Sequence, residues 1–144
     1  MGFIMQAIYR HRFTVGPEAI DANGHVNNVV YVQWMQDVAV RHADAAGCTD
    51  ATRRIGATWV ARSHWIEYLN PAFAGDEIEA LTWVASFRKV RSLRRYRFVR
   101  TSDNVTLAQG ETDWVFVDLQ SGRPRSIPGA VSAAFELLPD APQR

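Results

Sequence analysis

The residues with the most chemistry to offer stand together at Asp21-Ala22-Asn23-Gly24-His25-Val26-Asn27-Asn28, where a carboxylate, an imidazole, three carboxamides and a glycine fall within eight positions. A carboxylate can attack an electrophilic carbon or deprotonate a water. An imidazole can shuttle a proton or donate a hydrogen bond, and the unpaired N–H groups that open a helix can hold developing negative charge. Acyl transfer uses all of these. Asp21 is the candidate nucleophile or general base, and His25 is a candidate to orient it, polarise a carbonyl or protonate a leaving group. Each has a plainer alternative: Asp21 as an Asx-turn ahead of a helix, and His25 as a hydrogen-bonding strut of the loop.

For those N–H groups to exist a helix must follow at once. Residues 29–46 contain neither Gly nor Pro, and Val32, Met35, Ala39, His42, Ala43 and Ala46 recur at the three-and-four spacing of one helical face. Asn27 or Asn28 can cap its start and Gly47 can close its end. Ahead of the motif, residues 5–15 predict a strand that stops at Gly16-Pro17. Beyond Thr58 the chain turns rich in Trp, Val, Ile, Tyr, Phe and Thr, and predicts four strands near residues 58–69, 77–88, 92–101 and 105–118. Pro128, then Val131, Ala134, Phe135 and Leu138, predict a short closing helix with the proline in its first turn. Strand, long helix and four strands make an α+β arrangement in which one antiparallel sheet wraps a helix.

The 144 residues, 47% hydrophobic, suffice for one domain over residues 1–144. Cys48 is the only cysteine, so no intrachain disulfide can form, and no Cys/His cluster has zinc spacing. His11, His42 and His64 read as structural, and Trp59, Trp65, Trp83 and Trp114 as strand packing or an interface. No apolar run reaches the ~18 residues of a membrane span, and the expectation is a cytoplasmic protein with no membrane partner, no metal and no bound cofactor. A net charge of +1 argues against a nucleic-acid binder. The charge is uneven, however. Seven bases and no acid lie between Arg88 and Arg100, against nine bases and fifteen acids elsewhere, which reads as one basic patch on an acidic molecule.

In this order and spacing the chain resembles the hot-dog-fold thioesterases of the 4-hydroxybenzoyl-CoA thioesterase type. The residues that carry the resemblance are Asp21, Gly24, His25, Val26, Asn27, Asn28 and Tyr31, then Tyr68-Leu69-Asn70-Pro71-Ala72 with Gly75-Asp76, and the hairpin from Arg88 to Ser92. They cover the chain from about Tyr9 to Leu119. The Asp-x-Asn-x-His-Val-Asn-Asn form is also similar to the catalytic half of plant acyl-ACP thioesterases, although Glu67 does not align with the further strand carboxylate of those enzymes.

The resemblance implies a five-stranded antiparallel sheet around a long central helix and an acyl-CoA thioester hydrolase. Asp21 would be the nucleophile or general base, assisted by His25, with Asn23 positioning water. Gly24, Asn27, Asn28, Val29 and Tyr31 would line the substrate site, backbone N–H groups around Asn27 to Val29 would form the oxyanion hole, and Arg88, Arg91 and Ser92 would contact coenzyme A. It further implies a homodimer or homotetramer with the site between subunits. An acyl-ACP substrate is the alternative. A hot-dog dehydratase, which the Asp-x-x-Gly-His-Val order speaks against, and a non-catalytic acyl-CoA-binding module, which has no need of Asp21, are weaker ones.

Overall fold

A computed structural model of the chain describes residues 7–140. The long helix, α1 (Asn28–Ala45), begins where Asn27 sits in extended conformation and takes the Val29 N–H on its side-chain Oδ1 at 3.0 Å. An asparagine there satisfies one of the donors that a helix start leaves unpaired. Gly47, at φ 82°, closes the far end in the left-handed region that glycine enters without a Cβ penalty. Tyr31, Met35, Val38, Ala39 and His42 are the buried face of α1. The helix therefore starts and ends one residue earlier than the 29–46 read from the sequence, and its inner stripe includes Tyr31 and Val38.

Five strands surround this helix: β1 (Tyr9–Thr14), β2 (Ala57–Tyr68), β3 (Glu77–Arg88), β4 (Arg91–Arg100) and β5 (Val105–Asp118). They form one antiparallel sheet in the order β1-β3-β4-β5-β2. This is the hot-dog fold. The strands expected at 77–88 and 105–118 stand at those bounds, and those expected at 58–69 and 92–101 each begin and end one residue earlier. The first strand is shorter than the expected 5–15, of which residues 5 and 6 lie outside the described residues.

A 3₁₀ turn at Pro17–Ala19 and two short α-helices complete the described fold. Gly47 ends α1 and also opens α2 (Cys48–Arg54), whose only buried residues are Cys48 and Thr52. The last helix, α3 (Gly129–Ser132), is a single turn in which Pro128 takes the capping position, one residue ahead of the expected first turn. None of the described helices is long and apolar enough to cross a membrane.

Tyr31, Met35, Tyr96, Phe98 and Leu107 pack between α1 and the inner face of the sheet. The outer face is partly covered by chain ends: Ile8 and Leu138 close over Leu81, Trp83 and Val99, with the Leu138 N–H bonded to the Val84 carbonyl at 2.9 Å. Helix and sheet meet closely at Gly110 of β5. A Cβ on that residue would stand 2.7 Å from the Trp65 carbonyl oxygen and 3.2 Å from Cε of Met35. Backbone cannot yield as a flexible side chain can, so Gly110→Ala should cost about 1–3 kcal/mol through overpacking. Thermal unfolding should show a fall in Tm of roughly 4–10 °C. An unchanged Tm would mean that helix and strand separate there without cost.

Candidate active site

The motif folds as a tight loop. Ile20 bridges Val26, the Asp21 N–H bonds the His25 carbonyl at 3.0 Å, and the Gly24 N–H bonds the Asp21 carbonyl at 3.0 Å. Gly24 takes φ 84°, a conformation that L side chains rarely adopt. Oδ1 of Asp21 accepts the Asn23 N–H at 2.9 Å, so the Asx-turn is present. It uses one carboxylate oxygen, and Oδ2 has no hydrogen-bond partner among the described residues. His25 is partly buried, and its ring is likewise without a partner there, so it is not a strut of the loop. The Asn23 side chain is exposed.

The helix start offers fewer free donors than the sequence suggested. Of the three amides expected to serve together, Asn27 N–H is bonded to the Ala19 carbonyl at 2.9 Å and Val29 N–H to the Asn27 side chain at 3.0 Å. Only Asn28 N–H is left without an acceptor among the described residues. It opens α1, at the positive end of the helix dipole. On the other side of the same residue, the Asn28 carbonyl accepts a bond from the Tyr68 hydroxyl at 2.8 Å, which ties the helix start to the far end of β2.

A second loop braces the first. The Val26 N–H bonds the Ala72 carbonyl at 2.9 Å, and the segment from Pro71 to Asp76 is fixed by Arg100, whose Nη1 reaches the Pro71 carbonyl at 3.0 Å and Oδ2 of Asp76 at 3.2 Å. Tyr31, expected to line the substrate site, lies in the core instead at 3% exposure, edge-on to Trp34, Tyr68 and Phe98. Its hydroxyl is buried without a partner, and that burial, helped by Tyr68, pushes its pKa up to about 12.

The single basic patch expected from Arg88 to Arg100 is not formed. Strand alternation sends neighbouring bases to opposite faces, and adjoining strands supply acids. Arg91 pairs with Asp113, Arg95 with Glu111 at 3.0 Å, and Arg100 with Asp76 and Asp103, while Arg97 stands over the Trp83 ring. Arg91 and Ser92, expected as neighbouring contacts, therefore point apart: Arg91 is outward and Ser92 inward. At the hairpin tip Arg88 and Lys89 have no ion-pair partner among the described residues. They border an outer hollow with Ser63, Trp65 and Ser86.

On the inner face lies a cavity of about 300 Å³ between the second half of α1, α2 and the sheet. Ala39, Ala43, Trp59, Phe87, Trp114 and Phe135 give it apolar walls, and Ser92, Thr52 and Arg94 give it polar ones. Along α1 it is eleven residues or more from Asn28, roughly 16 Å at the helical rise. Within one chain, then, the Asp21 loop and the cavity are at opposite ends of the helix.

A profile of the thioesterase-like superfamily matches residues 15–135. The chain belongs to that superfamily. No curated protein matches it. Among solved structures, Slr0204 of Synechocystis, a 1,4-dihydroxy-2-naphthoyl-CoA thioesterase, is 15% identical with a TM-score of 0.78, over 88% of this chain and 94% of its own. SAV2348 of Staphylococcus aureus, solved in complex with CoA, is 18% identical with a TM-score of 0.80, over 90% of this chain and 82% of its own. An acyl-ACP thioesterase of Bacteroides thetaiotaomicron is 18% identical with a TM-score of 0.83, over 97% of this chain but 57% of its own. At these identities the neighbours establish the fold, and the superfamily supplies the chemistry, thioester hydrolysis.

A partly buried loop carboxylate followed within the same turn of chain by a free helix-start amide offers the two kinds of group that thioester hydrolysis can use, a base or nucleophile and a donor for charge on the carbonyl oxygen. The described residues contain no group of three His, Cys, Asp or Glu side chains that could hold a metal. Cys48 is buried against Thr52, and burial raises its thiol pKa, the opposite of what a nucleophile needs.

Two residues that the sequence reading left out of the site stand on the cavity wall or behind it. Arg94 is buried, and its Nη1 reaches Nδ1 of His42 at 2.8 Å. The alternation Ser92, Arg94, Tyr96, Phe98 could have placed Arg94 on the inner face. His42 stacks on Tyr9 and meets Phe135 edge-on. Burial first, and then the Arg94 charge, lower its pKa to about 3, so the ring is neutral and accepts from Arg94.

An unfolded histidine takes a proton near pH 6.5 and this folded one near 3, so the unfolded state binds the extra proton between those values. Stability is then full above pH 6.5 and falls progressively toward pH 3, by about 1.4 kcal/mol per pH unit at most from this group. Tm measured from pH 7 to pH 4 should drop more steeply in the native chain than in His42→Gln. Parallel profiles would show that His42 does not carry the acid sensitivity.

Proposed function

We propose that the protein hydrolyses acyl-CoA thioesters, with Asp21 as nucleophile or general base and the Asn28 N–H as an oxyanion donor. Water and R–CO–S–CoA give R–COOH and the CoA thiol. The observation that carries this reading is the pairing, in one loop and the helix that follows it, of an uncommitted carboxylate oxygen with an uncommitted helix-start amide. Attack by Asp21 gives a mixed anhydride that water then opens; base catalysis gives the acid in one step. Both routes pass through a tetrahedral centre whose oxygen Asn28 N–H can receive. His25, its ring free, and Asn23, exposed, stand in the same loop to orient water or the carboxylate. Arg88 and Lys89 are the hairpin cations available to coenzyme A phosphates, and they suit the acidic surface of an acyl carrier protein equally well.

The active unit in this reading is a homodimer built on β2. That strand is a sheet edge of twelve residues with one side of its ladder unpaired. A long exposed edge is a template for another strand. Around it Val29, Val60, Trp65, Tyr68, Leu69 and Phe73 are exposed apolar side chains. A two-fold axis at the midpoint of β2 sets Val60 opposite Trp65 of a second copy, an apolar pair across the new ladder. The same axis carries the Tyr68 end, with Asn28 and the Asp21 loop, to the Ala57 end of the second copy, where Ala57 and Trp59 line the cavity. Loop and cavity, apart in one chain, adjoin between two.

Asp21→Asn keeps the size of the side chain and the Asn23 turn while removing the charge. It should lower kcat on the best CoA thioester of a substrate panel by at least about 10²-fold, with Tm unchanged; turnover near the native rate would reduce the loop to a turn. Replacing Val60 and Trp65 together by Glu sets like charges face to face across the proposed edge. Light scattering should then report monomers, and kcat/KM should fall more than about tenfold. A fully active monomer would remove the between-subunit site.

A further inference from the structure

The cavity carries a cation with no counter-ion. Arg94 is 5% exposed, and no carboxylate among the described residues lies within ion-pair distance of it. Its hydrogen bonds run from Nη1 alone, to Nδ1 of His42 at 2.8 Å and Oγ1 of Thr82 at 3.1 Å, both neutral acceptors. The Phe135 ring covers it from 5.2 Å. A guanidinium has five N–H donors, so the three on Nε and Nη2 are uncommitted among the described residues.

Structure alone gives no reason to keep such a group. A buried charge without a partner is costly, and an apolar side chain of similar volume would fill the same space at less cost. What an uncommitted guanidinium does well is take a carboxylate with two parallel hydrogen bonds. Its neighbours fit that task. Ser92, two residues earlier on the same inward row, lines the same wall, and the apolar walls of Trp59, Trp114 and Phe87 suit a methylene chain leading to the anion.

We infer that the cavity receives the far end of the acyl chain and that Arg94 selects acyl groups ending in a carboxylate. This rests on the dimeric hydrolase reading above, in which the cavity of one copy adjoins the Asp21 loop of the other. A volume of about 300 Å³ is at the small end for ligand sites and holds the equivalent of about ten waters, which sets the chain as short to medium. A dicarboxylic acyl group of about six carbons meets both conditions.

The test compares thiol release from adipoyl-CoA and hexanoyl-CoA, which share six acyl carbons and differ at the far end. The native protein should favour adipoyl-CoA in kcat/KM by at least about tenfold, the scale of a charge-assisted hydrogen bond. In Arg94→Met that preference ratio should fall by at least about tenfold, with Tm equal or higher because an unpaired buried charge has gone. Should the methionine variant fail to fold, Arg94→Lys, which keeps the charge and loses the planar fork, should lower the same ratio. Equal rates on the two thioesters, or a preference for hexanoyl-CoA, would overturn the inference while leaving thioester hydrolysis standing. Thermal shift with free adipate and free hexanoate separates the two readings. A protein that hydrolyses neither thioester, yet is raised in Tm by adipate only while Arg94 is present, would keep the anion site and lose the hydrolase. An adipate shift of the same size in Arg94→Met would refute the site directly.

Discussion

The seat of α1 on the sheet at Gly110 is the contact on which the rest of the arrangement depends. Because β5 presents no side chain there, the thioether of Met35 comes down onto the strand, and the helix axis is fixed at its middle. With its start also held by the Tyr68 hydroxyl on the Asn28 carbonyl, the helix has both ends placed. One end delivers Asn28 N–H to the Asp21 loop, and the other, with Ala39 and Ala43, roofs the cavity over Ser92 and Arg94. A helix raised by one methyl group would tilt or lift at both sites together, because interiors packed to this density pass displacements on instead of absorbing them.

Around that fixed helix the polar groups divide by strand alternation. Every second residue of β4 faces inward, and the inward row Ser92, Arg94, Tyr96 and Phe98 passes from cavity wall to core within four residues. The outward row, Arg91, Arg95 and Arg97, meets Asp113, Glu111 and the Trp83 ring. One strand thus carries surface ion pairs, each worth little in open solvent, and a buried guanidinium whose isolation has a real energetic cost. The first group keeps the hairpin in place. The second asks for a ligand.

The fold was legible because its signals are local. A gap-free helical period between Asn27 and Gly47, and β-rich runs between turn residues, placed every strand within a residue where the bounds could be compared, apart from the shorter first one. The helix α2 was not legible, since seven residues with two buried positions leave no periodic trace and Gly47 reads as a stop. The candidate loop announced itself through residue types, but the division of its amides did not. That Asn27 spends its side chain on Val29 and its own N–H on Ala19 is a matter of the folded backbone. The run of bases misled because most of the acids that answer it, Asp76, Glu111 and Asp113, lie on or beside other strands and far away in sequence, and Asp103 stands just past its end. Arg94 alone among them could have been singled out, from its place in an alternating row of inward residues.

The Asp21 loop is held almost wholly by main-chain bonds: Asp21 to His25, Gly24 to Asp21, Val26 to Ala72 and Asn27 to Ala19. Side-chain identity enters only through the Asn27 cap, the Asp21 turn and the αL position at Gly24. Such a frame is tolerant of mutational drift at its exposed positions, since Ala22 and Asn23 can be exchanged without withdrawing a main-chain bond that shapes it, while Val26 is held by its place in the core. The candidate carboxylate of the loop and the lining of the inner cavity can therefore change independently. A hydrolase built this way could acquire a new acyl preference through substitutions on the inner faces of β4 and β5 while its chemistry stayed where it was.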